Sequence, residues 1–464
     1  MNRTPRYDMV VIGGGPAGHH AAIQAAKLGK KVALVDARPD VGGACVHTGT
    51  IPSKTLREAI LYLSGYRQRG LYGLAYAVKQ DITPADLAFR IQHVVRHEAE
   101  VFHLQLRRNR VELIRGLGSF EDPHQVRVMS EAEDRLLEAE IIVIACGTVP
   151  AVSEKFPVDG KSILDSDTLP GMPVIPRTMT VVGGGVIGVE YACMMAALGI
   201  EVTLVEQRSG ILEFADSEIV DALCYEMREM GVVFRLGEEV DGVARRPDGC
   251  VVATLKSRKE IVSETVLYAV GRQGNTASLN LPKAGLSPDA RGRLATDQDF
   301  RTAVPHIFAV GDVIGFPSLA STSMEQGRVA ACVSLGRPVQ KATALLLPYG
   351  IYTIPEVSFV GSNEAELTKA GVAYEVGVAR YRELARGQIL GDEKGMLKLL
   401  VQAEGGRLLG VHVLGEGASE LVHIGQAVMA HGGTLDYFLN TVFNYPTLAE
   451  AYKVAALDIA NRRA

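Results

Sequence analysis

A chain of 464 residues is too long for one core and divides into units of roughly 100–200 residues. With 22% charged residues and a formal charge of -5, it lacks the basic surface of a nucleic-acid binder or of a protein held on anionic membrane. No apolar run approaches the roughly 20 residues of a membrane span, and six scattered cysteines without a CxxC argue against a disulfide scaffold and for a reducing cytoplasm.

Residues 7–12 are apolar and β-branched, which at that length predicts a buried parallel strand. A glycine loop, an alanine-rich helix over 18–28 and a strand over 31–35 complete a βαβ unit. A long amphipathic helix is expected over 84–110. His93 and His97 stand four apart on it, but no Cys or further His completes a ligand set, so a solvated face and no metal are expected. Pro170, Pro173 and Pro176 mark a linker. The pattern then restarts with a strand over 178–182, a glycine loop, a helix over 188–198 and a strand over 201–205. A repeat about 170 residues downstream predicts two similar units rather than a solenoid. Beyond about 341 antiparallel strands are expected at 356–360, 396–401 and 410–414, with helices over 418–429 and 447–462. The expected fold class is α/β, with two Rossmann-like dinucleotide-binding domains and a C-terminal α+β domain. The expected boundaries are 1–150 with 271–340, 151–270, and 341–464.

The two glycine loops carry the chemistry. Gly13, Gly15 and Gly18, with Pro16 and Ala17 between, fit GxGxxG directly after a strand and opening a helix. The first glycine permits the turn, the second admits the pyrophosphate, and the third lets helix pack on strand. Free N–H groups at the helix start then face the anion. Asp36 ends the next strand, 23 residues after Gly13, placed to accept from a ribose. Gly183, Gly185, Val186, Ile187 and Gly188 repeat the arrangement, with Glu206 again 23 residues on. Two bound dinucleotides follow.

The segment ending Val310-Gly311-Asp312 resembles the flavin-binding Gly-Asp motif of two-dinucleotide flavoproteins, whose aspartate holds the ribityl chain of FAD. Ala145-Cys146-Gly147 and Val270-Gly271-Arg272 resemble the crossovers into and out of the FAD domain. Gly42-Gly43-Ala44-Cys45, running on to Thr50 and Lys54, resembles the active-site segment of the pyridine nucleotide–disulfide oxidoreductases, and the resemblance covers essentially the whole chain. It implies FAD on the first cradle and NAD(H) or NADP(H) on the second. It also implies a homodimer, or a larger homo-oligomer, built on the C-terminal domain. Two departures matter. Disulfide-using members carry a second cysteine where Thr50 stands, and a proton-shuttling histidine where Tyr445 precedes Pro446, Thr447 and Glu450. Without that second thiol no dithiol relay forms at Cys45. The segment around Cys45 and His47, the stretch 423–427 and the run 443–447 resemble the soluble pyridine nucleotide transhydrogenases. The implied activity is hydride exchange between NADPH and NAD+, ping-pong through the flavin.

By the same resemblance Lys54 and Glu190 pair beside the flavin, where lysine stabilises developing negative charge. Cys45 is either a reactive thiol or a remnant, His47 a packing residue, Tyr445 a filler of the histidine's space, and Glu450 a local partner. The 443–450 segment would reach the neighbouring subunit's flavin. Glu206 suits the 2′-hydroxyl of NAD and opposes the 2′-phosphate of NADP. Arg208, two residues on, could reach the phosphate and offset it, which leaves the nucleotide preference open, with NAD(H) favoured by Glu206 alone. Two other readings stand beside this one: an NAD(P)H dehydrogenase reducing a quinone, and a non-catalytic flavin- and nucleotide-binding subunit or redox sensor.

Overall fold

The computed structural model describes residues 4–340 and 344–463. Its first sheet grows from the strand Arg6–Ile12, which pairs in parallel with Val32–Asp36 on one side and Arg135–Ile144 on the other. Glu112–Arg115 lies beyond Val32–Asp36, and Ile307–Ala309 adds in parallel to Arg135–Ile144. These strands are apolar on both faces because both are covered: the helices Pro16–Lys27, Pro84–Arg108 and Ala320–Ser334 pack on one, and the antiparallel strands Leu117–Asp122 and Gln125–Met129, with Leu279 and Leu281, on the other. The helix Pro16–Lys27 starts earlier than the residue 18 expected. Proline is at home in the first helical turn, where its missing N–H removes no bond.

The chain leaves this unit and returns through one ribbon, in which Thr148–Pro150 pairs antiparallel with Arg272–Gly274. Between the two crossings lies a second, all-parallel sheet. Its order is Val233–Leu236, Glu201–Glu206, Thr178–Val182, Thr265–Tyr268 and Ile163–Asp165. Here too the helix, Val186–Ala197, begins ahead of the expected residue 188. Three antiparallel strands from Val240–Arg245 to Glu260–Ser263, which the sequence pattern did not announce, cover one side.

The third sheet is antiparallel and five-stranded. It holds the expected strands, as Val357–Gly361, Met396–Gln402 and Leu408–Leu414, and adds Tyr349–Ile351 and Tyr374–Arg380 at its edges. The helices Ala418–Ala430 and Glu450–Arg463 pack on it over a core that includes Leu399, Val411 and Tyr452. The last helix starts at Glu450 rather than 447. The expected start of the third unit, at 341, lies outside the described residues.

One buried charge joins the second and third sheets. Lys398, fully buried in the strand Met396–Gln402, contacts Asp216 at 2.9 Å, Glu218 at 3.0 Å and Glu364. Asp216 caps the helix Ser217–Glu229 of the second unit. These three acids are the only metal-type cluster among the described residues, and the lysine ammonium is bonded to all of them. No described helix is long and apolar enough to cross a membrane.

Candidate functional site

The first glycine loop is shaped by contacts that exclude side chains. Gly13 adopts a φ of +108°, and a Cβ at Gly18 would stand 1.9 Å from the Gly13 carbonyl oxygen. The loop therefore closes tightly enough for the first turn of the helix Pro16–Lys27 to face the groove. Asp36, at the end of the neighbouring strand, accepts the Gly14 N–H at 2.6 Å and the Arg38 N–H at 2.8 Å. The acid is locked in place before any ribose arrives.

The second loop repeats this geometry. Gly183 has a φ of +113°, a Cβ at Gly188 would lie 1.9 Å from Gly183 oxygen, and Glu206 accepts the Gly184 N–H at 2.6 Å. The difference lies in the arginine. Arg208 donates to both oxygens of Glu206 through Nε and Nη2, each at 3.0 Å, and through its main-chain N–H at 2.9 Å. Burial alone would raise the Glu206 carboxyl, but the bonds from Arg208 and Gly184 outweigh it and hold it below the usual range. Among the described residues Arg38 meets Asp36 only through its main-chain N–H, with no such ion pair.

A cleft of about 570 Å³ runs from the first loop to the second helix, a size suited to a cofactor. Gly13, Gly15, Pro16, Ala17, Asp36, Gly43, Cys45, Lys54, Gly147, Arg272, Gly311 and Asp312 all line it. From the second loop Val186, Ile187 and Glu190 reach its wall, while Gly183, Gly185, Gly188, Glu206 and Gly271 lie outside it. Burial pushes the Asp312 carboxyl up, and Ser323 donates to it at 3.3 Å. Thr48 Oγ1 is buried in the same wall with no protein partner among the described residues. Glycine turn, anchored acid, half-buried Asp312 and a hydroxyl unpartnered among the described residues together fit FAD.

At the far end Lys54 meets Glu190. Lys54 Nζ donates to the two carboxylate oxygens at 2.7 and 3.0 Å, and the Glu190 side chain is only 4% exposed. The lysine rides on the helix Thr50–Leu63 and the glutamate on Val186–Ala197, so the pair spans two units. Tyr352, from the third, closes the group: its main-chain N–H donates to Glu190 at 2.8 Å, and Lys54 Nζ lies 4.9 Å from its ring centre. Sequence motifs did not single out Tyr352.

Cys45 faces the cleft as a free thiol. Burial raises its pKa, while a hydrogen bond with Thr50 pulls the other way without cancelling it. His47 contacts the carbonyl oxygens of Asp40 and Val41 at 2.9 and 3.0 Å, a packing arrangement. Arg272 commits its guanidinium to Thr148, Ser166 and Asp167, pinning the crossover ribbon to the second unit. Tyr445 and Glu450 do not reach this cleft within one chain. Tyr445 is 74% exposed, and Glu450 Oε2 is buried without a partner among the described residues.

A family model described as pyridine nucleotide-disulphide oxidoreductase matches residues 7–327, and one for that family's dimerisation domain matches residues 347–456. A protein from Mycobacterium bovis (strain BCG / Pasteur 1173P2) named soluble pyridine nucleotide transhydrogenase is 56% identical over 458 residues, 98% of this chain and 97% of that one. A protein of the same name from Hahella chejuensis is 45% identical over 461 residues, 98% and 99% of the two chains. Among solved structures, LpdA from Mycobacterium tuberculosis superposes with a TM-score of 0.90 at 26% identity, covering 98% of this chain and 99% of its own. The HOCl-induced flavoprotein disulfide reductase RclA from Escherichia coli does so at 0.85 and 27%, covering 97% and 99%.

Proposed function

The chain belongs to the pyridine nucleotide-disulphide oxidoreductase family, on the branch of its soluble transhydrogenases, and we propose that it moves hydride from NADPH to NAD+, and back, at one nicotinamide site beside FAD. The observation that carries this reading is a cleft holding the first cradle, Asp312 and the Lys54–Glu190 pair, with Cys45 facing Thr50 rather than a second thiol. All six cysteines are free.

FAD supplies a two-electron carrier when bound. The turn from Gly13 to Gly18 would hold its pyrophosphate, Asp36 its ribose and Asp312 its ribityl chain. Lys54 sets a positive charge where negative charge develops during transfer, and Glu190 fixes that charge in position. The wall residues Val186 and Ile187 orient the nicotinamide and keep water from the reacting atoms. Because both nicotinamide dinucleotides use the Gly183–Gly188 cradle, the first must leave before the second enters, which dictates a ping-pong order. Glu206 serves the 2′-hydroxyl of NAD(H). For NADP(H), Arg208 turns from Glu206 to the 2′-phosphate, so the same two residues admit both.

A homodimer is part of this reading. Val442 is 91% exposed and Tyr445 74%, and in the same C-terminal stretch Glu450 Oε2 is buried without a partner among the described residues, which supports a second copy docking here by two-fold symmetry. The free thiols support a reducing cytoplasm.

The test is anaerobic. One equivalent of NADPH should bleach the flavin absorbance, and NAD+ added after removal of free nucleotide should restore it with NADH appearing. Reduction by NADH alone would replace the reading with an NADH dehydrogenase serving another acceptor such as a quinone. No reduction by either nucleotide would leave a binding subunit.

A further inference from the structure

Lys54 carries a long flexible side chain with a quarter of its surface exposed. Left alone, such an ammonium samples many positions, because lysine holds a point charge on a four-carbon stem. Glu190 restrains it from one side through two hydrogen bonds. The restraint on Glu190 itself comes from Tyr352, whose main-chain N–H donates to Oε1. The same residue then meets the ammonium with its ring face, 4.9 Å from ring centre to Nζ, within the range of a cation–π contact. Tyr352 therefore touches both members of the pair by different chemistry.

Its placement is built by its surroundings. Ile351 and Thr353 on either side are fully buried, which fixes the main chain, while Tyr352 itself is half-buried and lines the cleft. A Cβ at Gly350 would stand 3.4 Å from the Tyr352 ring, so the main chain of Gly350 lies close beside the ring. The ring belongs to the stretch matched by the dimerisation model.

We propose that Tyr352 is a positioning residue for hydride transfer: it holds the Lys54–Glu190 pair in register, with its main chain fixing the carboxylate and its ring confining the ammonium. This inference rests on the flavin-side role of Lys54 given above and not on which acceptor the enzyme serves. Two variants keep the main-chain donor and separate the ring from the hydroxyl. Tyr352→Phe retains the aromatic face. Tyr352→Leu removes it with little change in bulk.

The measurements are the flavin midpoint potential, the anaerobic rate of flavin reduction by NADH at saturation, the KM for NADH, and the melting temperature of each holoenzyme. With Tyr352→Leu the reduction rate should fall about tenfold with KM within about twofold, because a lost cation–π contact acts on the charge that develops in transfer. The flavin potential should become more negative. Tyr352→Phe should restore both to within about twofold of the parent in rate and to the parent potential. Unchanged rate and potential in a folded Tyr352→Leu would overturn the proposal. So would a change confined to KM, which would make the ring a wall of the nucleotide pocket, or a Phe variant as impaired as Leu. Flavin reduction by NADH precedes any acceptor, so failed transfer to NAD+ in the parent enzyme would refute the transhydrogenase reading without touching this result.

Discussion

Arg208 shows how much one side chain can alter a familiar site. Its guanidinium neutralises Glu206 at the strand end where an acid alone opposes a 2′-phosphate. With Arg208→Gln the KM for NADPH should rise about tenfold, as one charge-assisted contact is lost, while the KM for NADH should change by less than about threefold. Steady-state kinetics with each nucleotide at saturating acceptor check this. An equal rise for both would mean that Arg208 serves the pocket's structure and not the phosphate. At this scale the sequence is uneven in what it discloses. The meeting of Lys54 with Glu190 can be read because both stand at fixed distances from glycine-rich turns that resemble known ones. Tyr352 cannot. It acts through a main-chain N–H and a ring face, contacts that residue type does not specify, and it lies 162 positions from Glu190.

Among elements, the two glycine-to-helix turns are interchangeable in geometry but not in consequence. Gly188→Ala forces a Cβ against the Gly183 carbonyl oxygen at 1.9 Å, so the second cradle should be distorted and the first left intact. The purified protein should remain yellow, yet nicotinamide nucleotides should reduce its flavin at least about a hundredfold more slowly. Loss of the flavin as well would show that the two cradles do not fold independently. The helix Pro16–Lys27 also carries a titrating group. His19 is buried against Phe102, and burial first, then the neighbouring His20, lowers its pKa from 6.5 to about 4. The unfolded chain takes up that proton at the higher pH. The stabilisation is therefore complete above about 6.5 and is lost as pH falls toward 4. From pH 7 to 4.5 the melting temperature of the parent should drop roughly 4 °C more than that of His19→Leu, and parallel curves would refute the assignment. The parallel strands and helices flanking the two glycine turns are legible from apolar runs and those turns, but the helices start early because proline and valine after a glycine turn already sit in helical geometry. The edge strands Tyr349–Ile351 and Tyr374–Arg380 escape notice because only half their residues or fewer are buried, which blurs the alternation that marks a strand.

For the whole molecule, the buried lysine between the second and third sheets is the feature that sequence alone hides most completely. Lys398 lies in a strand whose only other polar residue is the terminal Gln402, with Asp216 distant in sequence and close in space. Lys398→Met should lower stability by about 3–5 kcal/mol, chiefly by leaving Asp216 buried and uncompensated. Adding Asp216→Asn should recover part of that loss. Chemical denaturation of the holoenzyme would measure both, and a neutral single variant would mean that water screens the cluster.

The assembly of Lys54, Glu190 and Tyr352 also has a consequence in time. The three residues leave the ribosome in that order, and nearly 300 residues separate the first from the last. A nascent chain can close its first glycine turn early, yet its ammonium has no ring to confine it and its glutamate no main-chain donor until the last sheet is made. Fragments of synthesis or proteolysis that end before the third sheet hold a cofactor cradle without an ordered charge beside it.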